Sequence, residues 1–454
     1  MSSNKNIQIN PANTLANGKV SFKNGNPVLR FEIGEREEYL LGHTLRLVGK
    51  FCIFADAAET LPTSATNVRM PENLGVYSVL DTLSFSTMRT KQNLEYIKNY
   101  NKFMASYLQC SVSKEDQITY LNNQALTMPN FETQRLSVVN NLSGGAGTRN
   151  SFCLPLISGI TSGGNPIPLS ADWGIGGMEI TINLAPDSNV LFSAGTDTST
   201  FTNGFYELSE LSLVGETVSP SPEDLMGLRG QSQNTFEFNT ITSFYQTINS
   251  TNSTINLNLG QSHVLSVFGT FVPARYLNNL EQNGQSTLYP LNLASDTTAL
   301  NSSSVGAAYL SQVIWTRQGE RFPKQFNIDT PQRDNADDES APPEIARGYI
   351  EAVGSFINGT RSQVSPNTNF VVENAEPAQL AQGKFYKLIP DGGMAAGIGV
   401  AYDTVSGQGV DFSQVPWGCQ IVSNLTTDNP NSLFLFVHSR NTLVSSNGSI
   451  QIMT

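Results

Sequence analysis

Phe205-Tyr206-Glu207-Leu208-Ser209-Glu210-Leu211-Ser212-Leu213-Val214-Gly215-Glu216-Thr217-Val218 alternates apolar and polar side chains, then runs straight into Ser219-Pro220-Ser221-Pro222-Glu223-Asp224. Alternation with a period of two sends one set of side chains to each face of a strand, so the first segment predicts a half-buried β-strand. Two prolines flanking Ser221 remove ladder donors and stop that strand. A linker is therefore expected at residues 220–234, with a short helical turn through Leu225 and Met226.

Strand patterns lie on both sides of this break. Upstream they are Thr44 to Phe54, Val76 to Phe85, Ser151 to Ile157, Met178 to Leu184 and Asn189 to Phe192. Downstream they are Phe236 to Tyr245, Ser253 to Leu259, Val264 to Phe271, Val313 to Trp315, Phe322 to Ile328, Phe385 to Ile389, Gln420 to Ser423 and Ser432 to His438. Each side carries one helix pattern. Residues 90–108 put Leu94, Ile97, Met104 and Leu108 on one stripe, with Lys91, Glu95, Lys98 and Lys102 elsewhere. The second begins near Pro342-Pro343-Glu344 and aligns Ile345, Tyr349, Val353, Phe356 and Ile357. Residues 1–34 are polar with short apolar runs and read as an extended arm. Many strands at this spacing, with one helix per half in a long loop, suit two Greek-key sandwiches or jelly rolls.

Composition agrees. A chain of 454 residues has room for two β-domains of about 200 residues each. Only 14% of residues are charged, so Asn, Ser, Thr, Gln and Gly must supply the polar surface, and these favour turns and strand edges. The net charge is −12 with no long basic run, which argues against phosphate neutralisation and hence against direct nucleic-acid binding. Cys52, Cys110, Cys153 and Cys419 form no CxxC pair and read as free thiols. The chain opens on a polar segment and holds no long apolar run, so synthesis in a reducing cytosol is expected.

A search for chemistry finds none to assign. His43, His263 and His438 are far apart in sequence, with no metal-binding or nucleophile signature around them. Gly174-Ile175-Gly176-Gly177 and the Gly392–Gly399 run do not match a phosphate cradle and read as turns or close strand packing. The acidic loop Asp334 to Glu339 lacks the spacing of a calcium loop. No catalytic, cofactor-binding or metal residue is predicted, and no cofactor.

Several segments resemble the major capsid proteins of the double jelly-roll virus lineage, which includes tectivirus-type phages, virophages and polinton-like viruses. Gly176 to Leu184 looks like the final strand of their first jelly roll. The Tyr-x-Leu-x-x-Leu-x-Leu pattern of Phe205 to Val218 resembles the strand leading from one roll to the next. Phe268 to Asn279 followed by Tyr289-Pro290-Leu291, Arg317 to Pro323, and the closing Phe436 to Val444 are similar to segments of the second roll.

The resemblance implies an all-β chain of two jelly rolls side by side: an arm at 1–34, a first roll at 35–219, the linker at 220–234 and a second roll at 235–454. It implies a non-enzymatic coat protein whose homotrimers have a pseudo-hexagonal outline and tile an icosahedral shell. Expected partners are further copies of the chain, with penton, minor capsid or cement proteins and an internal membrane as additional candidates; the arm is the candidate for lattice or membrane contact. The expected location is the virion, after synthesis in the host cytoplasm. The competing reading is a glycan-binding or receptor-binding β-sandwich of a spike or adhesin, since Asn- and Thr-rich loops suit glycan contact too.

Overall fold

The computed structural model describes residues 4–111 (apart from 14, 16, 24, 26, 55, 60–67 and 70–73), 122–126, 150–193 (apart from 173), 204–273, 310–322, 343–358, 397–402 and 408–454 (apart from 424–426, 428–429 and 447–448). The expected strands at Phe322 to Ile328 (beyond Phe322) and at Phe385 to Ile389 lie outside these, as does the acidic loop.

The first half supplies β1 (Asn4–Ile9), β2 (Lys19–Val20), β3 (Val28–Ile33), β4 (Tyr39–Phe54), β5 (Val68–Arg69) and β6 (Leu80–Thr87). It continues with β7 (Asn93–Lys98), helix α1 (Tyr100–Ser111), β8 (Asn150–Pro155), β9 (Ile167–Pro168), β10 (Met178–Leu184), β11 (Phe192–Ser193) and β12 (Phe205–Val218). Helix α2 (Pro222–Arg229) then occupies the expected linker. The second half supplies β13 (Gln233–Ile248), β14 (Asn252–Leu257), β15 (Val264–Pro273), β16 (Leu310–Arg317) and β17 (Glu320–Arg321). Helix α3 (Pro343–Asn358), β18 (Gly397–Ala401), β19 (Trp417–Ser423), β20 (Asn431–Ser446) and β21 (Ser449–Met453) complete it.

The pairing order repeats. In the first half one sheet runs β1-β12-β4-β8 and the other β3-β10-β6-β7. In the second half the corresponding sheets run β13-β20-β15-β18 and β14-β19-β16-β17. Counting these strands along the chain, each half has one sheet ordered first, eighth, third, sixth and a second ordered second, seventh, fourth, fifth. That is the wrapping of a jelly roll, made twice. The pairs are antiparallel, and the short β2, β9 and β21 extend the sheets at β12, β4 and β20.

This topology corrects the reading of residues 1–34. Asn4–Ile9 pairs with β12, and Val28–Ile33 pairs with β10, so the segment supplies the first and second strands of the first roll. Leu29, Phe31 and Ile33 are fully buried there. The segment is extended, as its composition indicates, but its apolar alternation at 29, 31 and 33 faces a core. Gly176 to Leu184 likewise forms the seventh strand of that roll; the eighth is β12.

The pattern of β12 carries its own irregularity. Tyr206, Leu208, Leu211 and Leu213 are buried, so the phase slips by one residue between Leu208 and Leu211. The pairing with β4 shifts between Ser209 and Ser212, and Glu210 adopts a positive φ of 51°. The extra residue makes a bulge that restores the apolar phase. The alternate face is not open as expected: Glu207 is buried with Lys19 at 3.2 Å.

Two other expectations shift. Val76–Val79 lies in a 3-10 turn before β6 rather than in the strand, and residues 187–190 form a helical turn ahead of β11. The helix expected over 90–108 begins only at Tyr100, because Asn93–Lys98 pairs with β6 as β7. A register shift near Asn93 lets Leu94 and Glu95 both point inward, with Ile97 buried two residues on, which imitates helical spacing.

Candidate functional site

The feature that makes one body of two rolls is the seam between them. Its apolar side is built by the two long helices. Phe103 of α1 meets Phe268 of β15 at 6.2 Å, Phe356 of α3 at 5.4 Å and Phe436 of β20 at 5.6 Å between ring centroids. Tyr107 adds an edge contact to Phe356 at 5.8 Å. As a result the core of the first roll is continuous with Phe236, Phe238, Ile241, Tyr349 and Val353 of the second half. Of the helix stripe read in the sequence for α3, Tyr349, Val353 and Phe356 are buried on this face with Ile357 packed against it, while Ile345 is buried in the second roll's own core.

Glycines bring α3 close to its sheet. A Cβ on Gly399 would stand 2.7 Å from the Ala352 Cβ and 3.0 Å from the Tyr349 Cα, and one on Gly348 would stand 2.6 Å from the Gly399 carbonyl oxygen. The described end of the Gly392–Gly399 run is thus close packing of strand on helix, while Gly176 and Gly177 take positive φ in the turn before β10.

The polar side of the seam centres on Glu95, buried in the irregular stretch of β7. Ser158 caps the helical turn Gly159–Ser162 by accepting from the Thr161 N–H. That leaves the Gly159 and Ile160 N–H groups, and both donate to the Glu95 carboxylate, at 2.8 and 3.1 Å. Oε1 accepts a third bond, from the Ile241 N–H of β13, at 2.7 Å. One carboxylate therefore joins three backbone donors from two rolls. Burial pushes its pKa up to about 7, although the bonds from Ile160, Ile241, Ser158 and Gly159 pull the other way. Gly159 lies directly on β13, where a Cβ would come 2.5 Å from the Thr240 Cα. Asn165 donates to the Glu237 carbonyl at 3.1 Å, and Arg229 pairs with Glu37.

Lys102, placed by the sequence pattern on the polar side of its helix, is buried. Its Nζ lies 5.4 Å from the centroid of the Phe434 ring. Burial pulls its pKa down to about 8 against the favourable field of Asp81. Neither Glu95 nor Lys102 was legible as a seam residue, since each sits in a pattern that reads as an exposed helix face.

The three histidines stay apart in environment. His43 and His263 are exposed, and His263 Nδ1 bonds the Gln408 carbonyl at 2.9 Å. His438 is fully buried, edge-on to Phe356 at 5.2 Å. Among the described residues no cluster of His, Cys, Asp and Glu could hold a metal, and no helix is long and apolar enough to cross a membrane. The four cysteines are free thiols.

With two rolls of one topology joined in this way, comparison with solved structures is decisive for the fold. The PBCV-1 virus capsid protein superposes with a TM-score of 0.57 at 10% identity, over 100% of this chain and 97% of that one. The Faustovirus major capsid protein does so with a TM-score of 0.59 at 11% identity, over 98% and 91%. This is the double jelly-roll fold. A third double jelly roll, from the Sputnik virophage, matches with a TM-score of 0.52 at 10% identity, over 100% and 88%. No protein-family model and no curated protein sequence matches the chain. The chain thus shares the fold of these structures over nearly its whole length at 10–11% sequence identity.

Proposed function

We propose that this chain is a viral major capsid protein, with a structural and non-enzymatic role. The observation that carries the reading is the double jelly roll itself, whose described strands run from Asn4–Ile9 to Ser449–Met453. Two rolls of the same topology, held by a buried seam, give one block with two similar flanks. Three such blocks in a ring have six similar flanks, a pseudo-hexagonal tile suited to an icosahedral shell.

In this reading the chain's main partner is itself, within the trimer and between neighbouring tiles. Penton, minor capsid or cement proteins and an internal membrane are further partners, and the chain resides in the virion after synthesis in the host cytoplasm. The net charge of −12 fits a coat that does not bind the genome directly. Obligate interfaces of this kind commonly bury more than about 2,000 Å².

Light scattering coupled to size exclusion tests the proposal. A species at three times the 49.3 kDa of one chain, stable to dilution and hexagonal in projection, is expected. A monomer at all concentrations would overturn it, and specific retention on a glycan array by that monomer would favour an adhesive module instead.

A further inference from the structure

Glu95 is an unusual way to hold two domains together. An edge strand such as β13 exposes backbone donors, and these are ordinarily met by another strand or by water. Here the Ile241 N–H is met by a carboxylate reaching across from β7 of the other roll. The same oxygen takes the Gly159 N–H, and the second oxygen takes that of Ile160. A Gln amide has one acceptor oxygen with two lone pairs, too few for all three bonds, whereas a carboxyl group accepts them in either protonation state: Oε1 uses both lone pairs and Oε2 keeps one beside a proton.

The groups packed around it bring little compensating charge. From α1 comes the Tyr100 hydroxyl, which accepts from the Ile157 N–H at 3.0 Å and whose ionisation the Glu95 charge opposes. From the capped turn come the Ser158 and Thr161 hydroxyls. On β6, Phe85 stands opposite Glu95. From β13 come Thr240 and Ile241, and in register with Ile241 on β20 is His438, whose charged form burial disfavours.

We propose that Glu95 is a proton-sensitive clasp that joins the two jelly rolls, so that the strength of the seam depends on pH near neutrality. This is independent of the coat-protein reading, since it concerns how one chain holds itself together. The sign follows from linkage. The folded chain favours the protonated acid up to about pH 7, against an ordinary value of 4.5, so this contribution is fully present below pH 4.5. It is lost as pH rises through 7.

The test uses full-length protein and compares the unfolding equilibrium at pH 6 and pH 8 in the native sequence and in Glu95→Gln. The native chain is expected to lose about tenfold more of its folding equilibrium constant over this interval than the variant does. Parallel pH dependence in the two proteins would overturn the proposal. Should the variant fail to fold, amide exchange of the native protein, corrected for intrinsic rates, probes the clasp directly. The Gly159, Ile160 and Ile241 amides should lose about tenfold protection together between pH 6 and 8. Protection that stays constant, or changes on one roll only, would overturn it.

Discussion

Phe103 of the first roll stands edge-on to Phe436 of the second, with ring centroids 5.6 Å apart and planes at 68°. Edge-to-face pairs gain from the ring quadrupoles beyond the area they bury. Because Phe103 also touches Phe268 and Phe356, one side chain ties α1 to three elements of the other roll.

Phe103→Ala should therefore destabilise the whole chain by about 3–5 kcal/mol, as for other large core truncations. Chemical denaturation followed by tyrosine and tryptophan fluorescence would show it. A loss below about 1 kcal/mol would mean that the seam closes without this ring.

Removing residues 1–33 should be far more damaging than removing an arm. It strips β1 from β12 and β3 from β10, and takes Leu29, Phe31 and Ile33 out of the core. The truncated protein is expected to aggregate or to lose the near-ultraviolet signature of a packed first roll. Native-like melting after truncation would show that these strands add nothing to stability.

Gly159 and Gly227 make a matched pair for the polar side of the seam. A Cβ at Gly159 would lie 2.5–2.6 Å from the Thr240 and Asn239 backbones, whereas one at Gly227 in α2 meets nothing within 4 Å. Gly159→Ala should lower stability, and Gly227→Ala should leave it level or raise it through helix propensity by up to about 1 kcal/mol, both read from thermal melts. Equal effects at the two sites would refute the direct backbone contact.

His438 should make the protein acid-sensitive. Burial, reinforced by the positive charge of Arg440, pulls its pKa down to about 3 from an ordinary 6.5. The stability tied to its neutral form is present above pH 6.5 and is lost as pH falls through 3, opposite in sense to Glu95. His438→Phe keeps an aromatic ring against Phe356 and should flatten the acid limb of a stability profile. An acid limb as steep as that of the native chain would place the sensitivity in other groups.

The sequence revealed the strands best where alternation was unbroken, as in Met178–Leu184, which forms β10 with the bounds expected. It misled where a bulge shifted the phase. Leu94 and Ile97 are three apart and suggest a helical stripe, yet both are buried from a strand with an irregular register. The N-terminal strands were obscured for a different reason: short apolar runs among polar residues look like an arm until their distant partners are known. Glu95 and Lys102 illustrate the limit for the seam. A charged side chain in a mixed pattern reads as solvated, and only the fold shows that backbone donors and an aromatic ring await it.

The pairing of β1 has a consequence for how the chain is made. Asn4 lies opposite Val218, and every contact of β1 with a sheet neighbour is with β12. During synthesis Asn4–Ile9 must wait until the chain has been made as far as Val218 before its strand partner is complete. Contacts so distant in sequence slow folding, because a long loop must close before any contact rewards it. During that wait the Leu29-x-Phe31-x-Ile33 alternation is exposed beside an unfinished sheet, an apolar edge of the kind that invites misassembly.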